Sequence, residues 1–175
     1  MNIRKFPPLF LANAFSAPPE GVIPVAGFEA ERYLGTWFEI ARLDNIFERG
    51  LTRVTATYGQ NPDGSMSILN RGFDARSGAW KEARGTARFR KAADVGSLAV
   101  TFFRPFSGGY HIFALDRENY TWAAVSGPSR KYLWLLSRTR EMPEDIRRQL
   151  VARAKKLGFP VDRLLMTDQS PEALP

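Results

Sequence analysis

The chain has 175 residues, no cysteine and a single histidine, His111. Those counts exclude a disulfide framework, a thiolate nucleophile, a CxxC redox pair, zinc–thiolate and iron–sulfur centres and any two-histidine metal motif. Lysine and arginine number 25 against 18 acidic residues, a formal charge of +7 that favours anionic partners. The basic residues are dispersed rather than clustered, which argues against a nucleic-acid footprint. At roughly 150 residues per domain the length suits one domain, and no stretch approaches the roughly 18 apolar residues that span a bilayer.

The first 27 residues differ from the rest. Arg4 and Lys5 precede the apolar Phe6-Pro7-Pro8-Leu9-Phe10-Leu11, and Ala12-Asn13-Ala14 has the small-x-small form of a cleavage site. This outlines an export signal with a short, proline-broken apolar stretch; a disordered extension is the other reading. Residues 16–24, with Pro18, Pro19, Gly21 and Pro24, read as an extended linker. The expected organisation is an extension over 1–27, a folded domain over 28–168 and a tail over 169–175.

From Gly35 onward, apolar runs alternate with turn signals. Strands are predicted over 36–43, 51–58, 65–73, 80–90, 97–103, 110–115, 120–126 and 131–138, separated by sequences such as Asn61-Pro62-Asp63-Gly64 and Gly127-Pro128. Evenly spaced strands with short connections indicate an antiparallel sandwich or barrel rather than βαβ units. One helix follows, over about 143–157. Pro143, Glu144 and Asp145 open it, Ile146, Leu150, Ala154 and Leu157 form one apolar face, and Gly158 and Pro160 stop it. Residues 161–167 suit a short last strand. The fold class expected is mainly β: an eight-stranded antiparallel up-and-down barrel with one C-terminal helix packed outside, wide enough for one small ligand.

Strand parity nominates the lining. It turns Val54, Ala56 and Tyr58 inward, then Met66, Ile68 and Asn70, then Ala83, Gly85, Ala87 and Phe89, with Phe102 from the fifth strand. Strands six to eight are apolar on both faces, as expected where a helix covers one side; Tyr110, Ile112, Ala114, Tyr132, Trp134 and Leu136 are assigned inward and His111 and Phe113 outward. Glu39 and Ala41 follow the parity of Trp37. The small residues Ala41, Ala56, Ala83, Gly85, Ala87, Ala114 and Ala124 would leave room for a guest. An apolar lining with a few polar groups is the usual chemistry of a small-molecule site.

Gly35-Thr36-Trp37 enters the first strand. Phe47-Glu48-Arg49-Gly50 lies in the first loop, Ala114-Leu115-Asp116 closes the sixth strand, and Tyr132 to Arg138 forms the eighth. In this order the set resembles the lipocalins, specifically the bacterial lipocalins related to apolipoprotein D, over about residues 28–168. The resemblance implies that Trp37 plugs the closed end, that Arg138 packs across its ring, and that Gly35 and Asp116 are structural residues of that end. The ligand-binding set is then Glu39, Ala41, Val54, Ala56, Asn70, Ala83, Phe102, Tyr110, Ile112 and Trp134. The open-end loops carry Arg49, Arg76, Arg104 and Arg130, a cationic rim for an amphiphile with an anionic head.

The resemblance implies binding, storage or transport of a fatty acid or lysophospholipid in the bacterial envelope, without catalysis, cofactor, metal or nucleic acid. The protein would act as a monomer or homodimer, with contact to an anionic membrane through its basic helix face. Many such relatives carry a lipid-modified cysteine; this sequence has none, so periplasmic, outer-membrane-associated and cytoplasmic locations all remain compatible. The alternatives are a tetrapyrrole or haem binder using His111, or a small isomerase of the same fold. Phe47 is expected either at the ligand mouth or as the anchor of its loop.

Overall fold

Turn chemistry cuts the chain into strands close to where the sequence breaks. The computed structural model describes residues 16–104 and 106–171. A short helix α1 (Ala30–Tyr33) leads into β1 (Gly35–Leu43). Then follow β2 (Leu51–Gln60), β3 (Met66–Asp74), β4 (Ala79–Phe89), β5 (Ser97–Phe103), β6 (Phe106–Leu115), β7 (Trp122–Ser126), β8 (Leu133–Ser137), helix α2 (Glu144–Lys156) and β9 (Leu164–Met166). Successive strands pair antiparallel. β1 pairs with β2 through Gly35 to Phe38 and with β8 from Phe38 to Arg42, which closes the sheet into an eight-stranded barrel. β9 then takes the edge of β1 that β2 has left, pairing Ala41 with Met166. Closure removes the exposed edges that would otherwise template aggregation.

Two apolar cores result. The inner one holds Trp37, Tyr58, Ile68, Leu98, Ile112, Val125 and Leu136. The outer one lies between the wall and α2 and holds Leu43, Phe113, Leu133, Leu135, Leu150, Ala154 and Phe159. This is why β6 to β8 are apolar on both faces. Helix α2 ends in a Schellman arrangement: Gly158 takes φ +82°, and its N–H reaches Lys155 O while that of Phe159 reaches Ala154 O. Phe159 is thereby set against Phe113, with ring centroids 5.9 Å apart.

Register shifts interrupt four of the ladders, and those in β1 and β6 reset the facing of predicted lining residues. In β1 the register shifts between Glu39, opposite Leu136, and Ala41, opposite Leu135. In β6 it shifts between Ile112, opposite Val125, and Ala114, opposite Ala124. Each bulge adds one residue to the outer face. The expectation that Ala41, Ala114 and Ala124 line the interior is therefore corrected: all three belong to the outer core beneath α2.

Residues 16–28 form no free linker. They run across the barrel wall, with Val22 and Phe28 buried, a bridge between Ala26 and Val95, and Val25 N–H donating to Ile112 O at 2.8 Å. β6 begins earlier than predicted because Gly108 and Gly109 read as turn residues but pair with Val100 and Ala99. At Gly109 a Cβ would lie 2.7 Å from Ser16 O, so glycine is what lets the strap cross there. The signal-like segment of residues 1–15 and the last four residues of the tail lie outside the described residues.

Candidate functional site

The floor of the barrel is built by α1 and the first turn of β1. Trp37 is fully buried, donates its indole N–H to Tyr33 O at 2.9 Å and lies under the Arg138 guanidinium, 4.0 Å from Cζ to the ring centroid. Arg138 also donates to the carbonyls of Tyr120 (3.2 Å), Thr36 (3.1 Å) and Arg32 (2.7 Å). Burial lowers its pKa somewhat from the usual arginine value. Gly35 turns the chain at φ +89°, with Arg138 Nη1 3.4 Å from where a Cβ would stand. Asp116 closes the β6–β7 turn by accepting from the N–H groups of Glu118, Asn119 and Thr121 and from the Thr121 hydroxyl. Partial burial alone would raise its carboxyl, but these bonds outweigh it and hold the pKa low.

Above the plug stand three phenols. The Tyr33 and Tyr110 hydroxyls are 2.7 Å apart, and Tyr58 donates to Tyr110 at 2.8 Å. Burial pushes all three pKa values above the ordinary tyrosine value, so they are neutral donors at physiological pH.

The walls grade from closed to open. Tyr58, Met66, Ile68, Ala87, Leu98 and Ile112 are buried near the floor. Higher up, inward-facing Ala56, Asn70, Ala83, Phe102, Tyr110 and Trp134 stay only half-buried. Residues that face into a barrel and yet remain accessible line an open cup. Register pairs Asn70 with both Ala56 and Ala83 on this face. Not all the expected room is free: the Phe102 ring lies where a Cβ on Gly85 would meet it at 2.8 Å. Val54 is buried, on the parity of Ala56.

Near the mouth lies a polar knot that sequence reasoning missed. The β1 bulge turns Glu39 and Arg42 to the same, inner side, where Arg42 Nη1 donates to Glu39 Oε1 at 2.5 Å, both side chains almost wholly buried. Arg42 Nη2 donates to the carbonyls of Glu48 and Leu51, and Thr167 Oγ1 donates to Glu39 at 2.5 Å. Gln169 Nε2 bridges Glu39 O and Val54 O, each at 2.8 Å, filling the gap where β1 and β2 separate. Burial raises the Glu39 carboxyl above the carboxylate range and Glu48 adds to this, with Arg42 and Thr167 opposing. Glu39 is therefore a tied structural group. The signal in the sequence was Arg42 itself, a charge between Ala41 and Leu43 in an apolar strand. Nothing local marked Gln169 or Thr167.

The first loop is pinned by Glu48, whose Oε2 accepts from Trp134 Nε1 at 2.9 Å and Asn45 Nδ2 at 2.6 Å. Phe47 is no anchor: it is 72% exposed. The cationic rim is thinner than expected. Arg49 pairs with Asp44, and Arg130 ties Leu157 O to Glu20 O, joining helix to strap. Arg76 and Arg104 remain exposed, with no side-chain ion pair among the described residues. His111 faces outward and is buried under the strap, with Nδ1 3.0 Å from Ser97 Oγ. Burial and Arg90 lower its pKa to about 4. It has no access to the cup. The groove of about 640 Å³ beside Ile40, Arg140, Met142 and Met166 is an open trough outside the wall, separate from the cup.

Comparison with known proteins fits this geometry. Residues 28–169 match the model of a lipocalin-like domain. The chain is 49% identical to an outer membrane lipoprotein Blc of Vibrio cholerae, over 91% of this chain and 93% of that protein. It is 26% identical to mouse apolipoprotein D, over 82% and 78% respectively. Insecticyanin from the tobacco hornworm superposes with a TM-score of 0.71 at 20% identity, over 90% of this chain and 89% of that one. The chain belongs to the lipocalin family.

Proposed function

We propose that the protein is a non-catalytic carrier that binds, stores or transports a small amphiphilic lipid, a fatty acid or lysophospholipid, in the barrel cup. The carrying observation is the gradient of the inner wall, sealed by Trp37 and Arg138 below and lined above by half-buried Ala56, Asn70, Ala83, Phe102, Tyr110 and Trp134. An apolar cup with few polar groups suits an acyl chain; exposed Arg76 and Arg104 at the mouth suit an acidic head.

The mouth also carries Ile46, Phe47 and Phe103, each more than 70% exposed. Apolar tips beside arginines on a +7 chain suit contact with an anionic bilayer, from which such a lipid would be taken. The V. cholerae relative is an outer membrane lipoprotein, which supports a role in envelope maintenance. The carrier would work as a monomer or homodimer.

The purified protein is expected to take up a fluorescent fatty acid and release it to an unlabelled lysophospholipid, with Trp134→Ala weakening both. Absence of uptake and of co-purified lipid in native mass spectrometry overturns this reading. The haem alternative loses its ligand, because His111 lies outside the wall.

A further inference from the structure

The three phenols above the Trp37 plug must share their protons in one way. Tyr33 and Tyr58 are 0% and 5% exposed. Among the described residues the hydroxyl of each has one partner, the Tyr110 oxygen. If Tyr110 donated to either neighbour, that neighbour's own proton would be buried without an acceptor. Two contacts among three hydroxyls leave one proton over, and it stays off the two buried residues only when Tyr33 and Tyr58 both donate to Tyr110, filling the acceptor positions of its oxygen. The Tyr110 proton then points away from both, on a half-buried ring of the inner wall. On the same inner face Asn70 Oδ1 is shielded and has no hydrogen-bond partner among the described residues. The inner wall thus presents a phenolic donor on Tyr110, packed against the Leu98 and Ile112 cluster, and an unmatched amide oxygen on Asn70, whose register partners are Ala56 and Ala83.

Charge decides what these groups can receive. Arg138 is committed to the Trp37 ring and three carbonyls, and Arg42 to Glu39 and the first loop. A carboxylate at the floor would meet neutral donors only, and an unpaired buried charge is strongly disfavoured. A neutral oxygen meets no such penalty, and the anionic head stays at the mouth.

We propose that the cup recognises a neutral oxygen function, a hydroxyl or ketone partway along the acyl chain, through the Tyr110 hydroxyl and the Asn70 amide. This rests on the carrier reading and narrows its ligand to oxygenated acyl chains.

The test is displacement of a fluorescent fatty acid by stearate and by mid-chain ketostearate and hydroxystearate. The wild-type protein is expected to prefer both oxygenated lipids by about 5–10-fold, the size of one neutral hydrogen bond. Tyr110→Phe should abolish the ketostearate preference, read as the ratio of ketostearate to stearate affinity in the same variant. Asn70→Val should reduce the hydroxystearate advantage, because only the hydroxyl can donate to Oδ1. Equal wild-type affinity for the three lipids, or a ketostearate preference that survives Tyr110→Phe, overturns the proposal but leaves the carrier reading standing. Failure of all three to bind overturns the carrier reading itself. If Tyr110→Phe loses stearate as well, the second variant decides: a hydroxystearate advantage that survives Asn70→Val overturns the proposal.

Discussion

Glu39 and Arg42 meet on the inside of the barrel because Ile40 and Ala41 both face out. Without that extra residue in β1 the two side chains would lie on opposite faces of the sheet. Instead they form a buried pair at 2.5 Å that holds the first loop and the C-terminal segment together.

Breaking the pair from one side should be costly. Arg42→Met leaves Glu39 buried without its cation, a loss of about 3–5 kcal/mol in comparable cases. The carboxyl is already raised in the folded state, and the substitution raises it further. A raised folded pKa means stability that is complete below the unfolded carboxyl value and lost as pH rises towards the folded one. Denaturant titration of Arg42→Met is therefore expected to show a penalty that grows with pH, and the double variant Glu39→Gln/Arg42→Met to lose less, with a flatter profile. A single variant with the same loss at every pH would contradict this account.

His111 predicts a pH effect of the opposite sense. Its folded pKa is lowered from 6.5 to about 4 by burial and by Arg90, so the folded state prefers the neutral ring. Stability is fully present above the unfolded value and is lost as pH falls from about 6.5 towards 4. His111→Phe should flatten the melting temperature over that interval; an unchanged slope would show that other groups cause the acid loss.

At the closed end, Arg138→Lys keeps the charge but loses the planar face over Trp37 and the fixed fork that reaches three carbonyls. A destabilisation of about 2–3 kcal/mol is expected from the lost cation–π contact and charge-assisted bonds. Tryptophan fluorescence should report a more mobile Trp37. Lipid affinity should change little in the folded fraction, because the plug lies beneath the cup.

Glu48 fastens the first loop to Trp134. Glu48→Ala should free the loop and speed ligand exchange, read by stopped-flow fluorescence, with a smaller change in equilibrium affinity. Affinity falling with exchange rates unchanged would make Glu48 a ligand contact rather than a latch.

The inward positions of β2, β3 and β4 were legible in the sequence because an outer face towards water forces apolar and polar residues to alternate. Val54, Ala56, Asn70 and Ala83 followed from that alone, and Tyr110, Ile112 and Trp134 kept the facing assigned to them. Ala41, Ala114 and Ala124 did not: where α2 covers the wall both faces are apolar, and hydropathy carries no record of an inserted residue. The same blindness hid Arg42, whose facing depends on the β1 bulge.

By itself, then, the sequence determined the strand count, the late helix and the absence of thiol chemistry, because these depend on local pattern and residue type; the Trp37–Arg138 plug was reached through the family resemblance of its motifs. Tertiary structure alone decided which groups share a proton or a charge: Tyr33, Tyr58 and Tyr110 at the floor, Glu39 with Arg42 and Thr167 near the mouth, and His111 beneath the strap. Those partners lie far apart in the chain or across a bulge, and barrel closure is what brings their hydrogen-bonding atoms within reach.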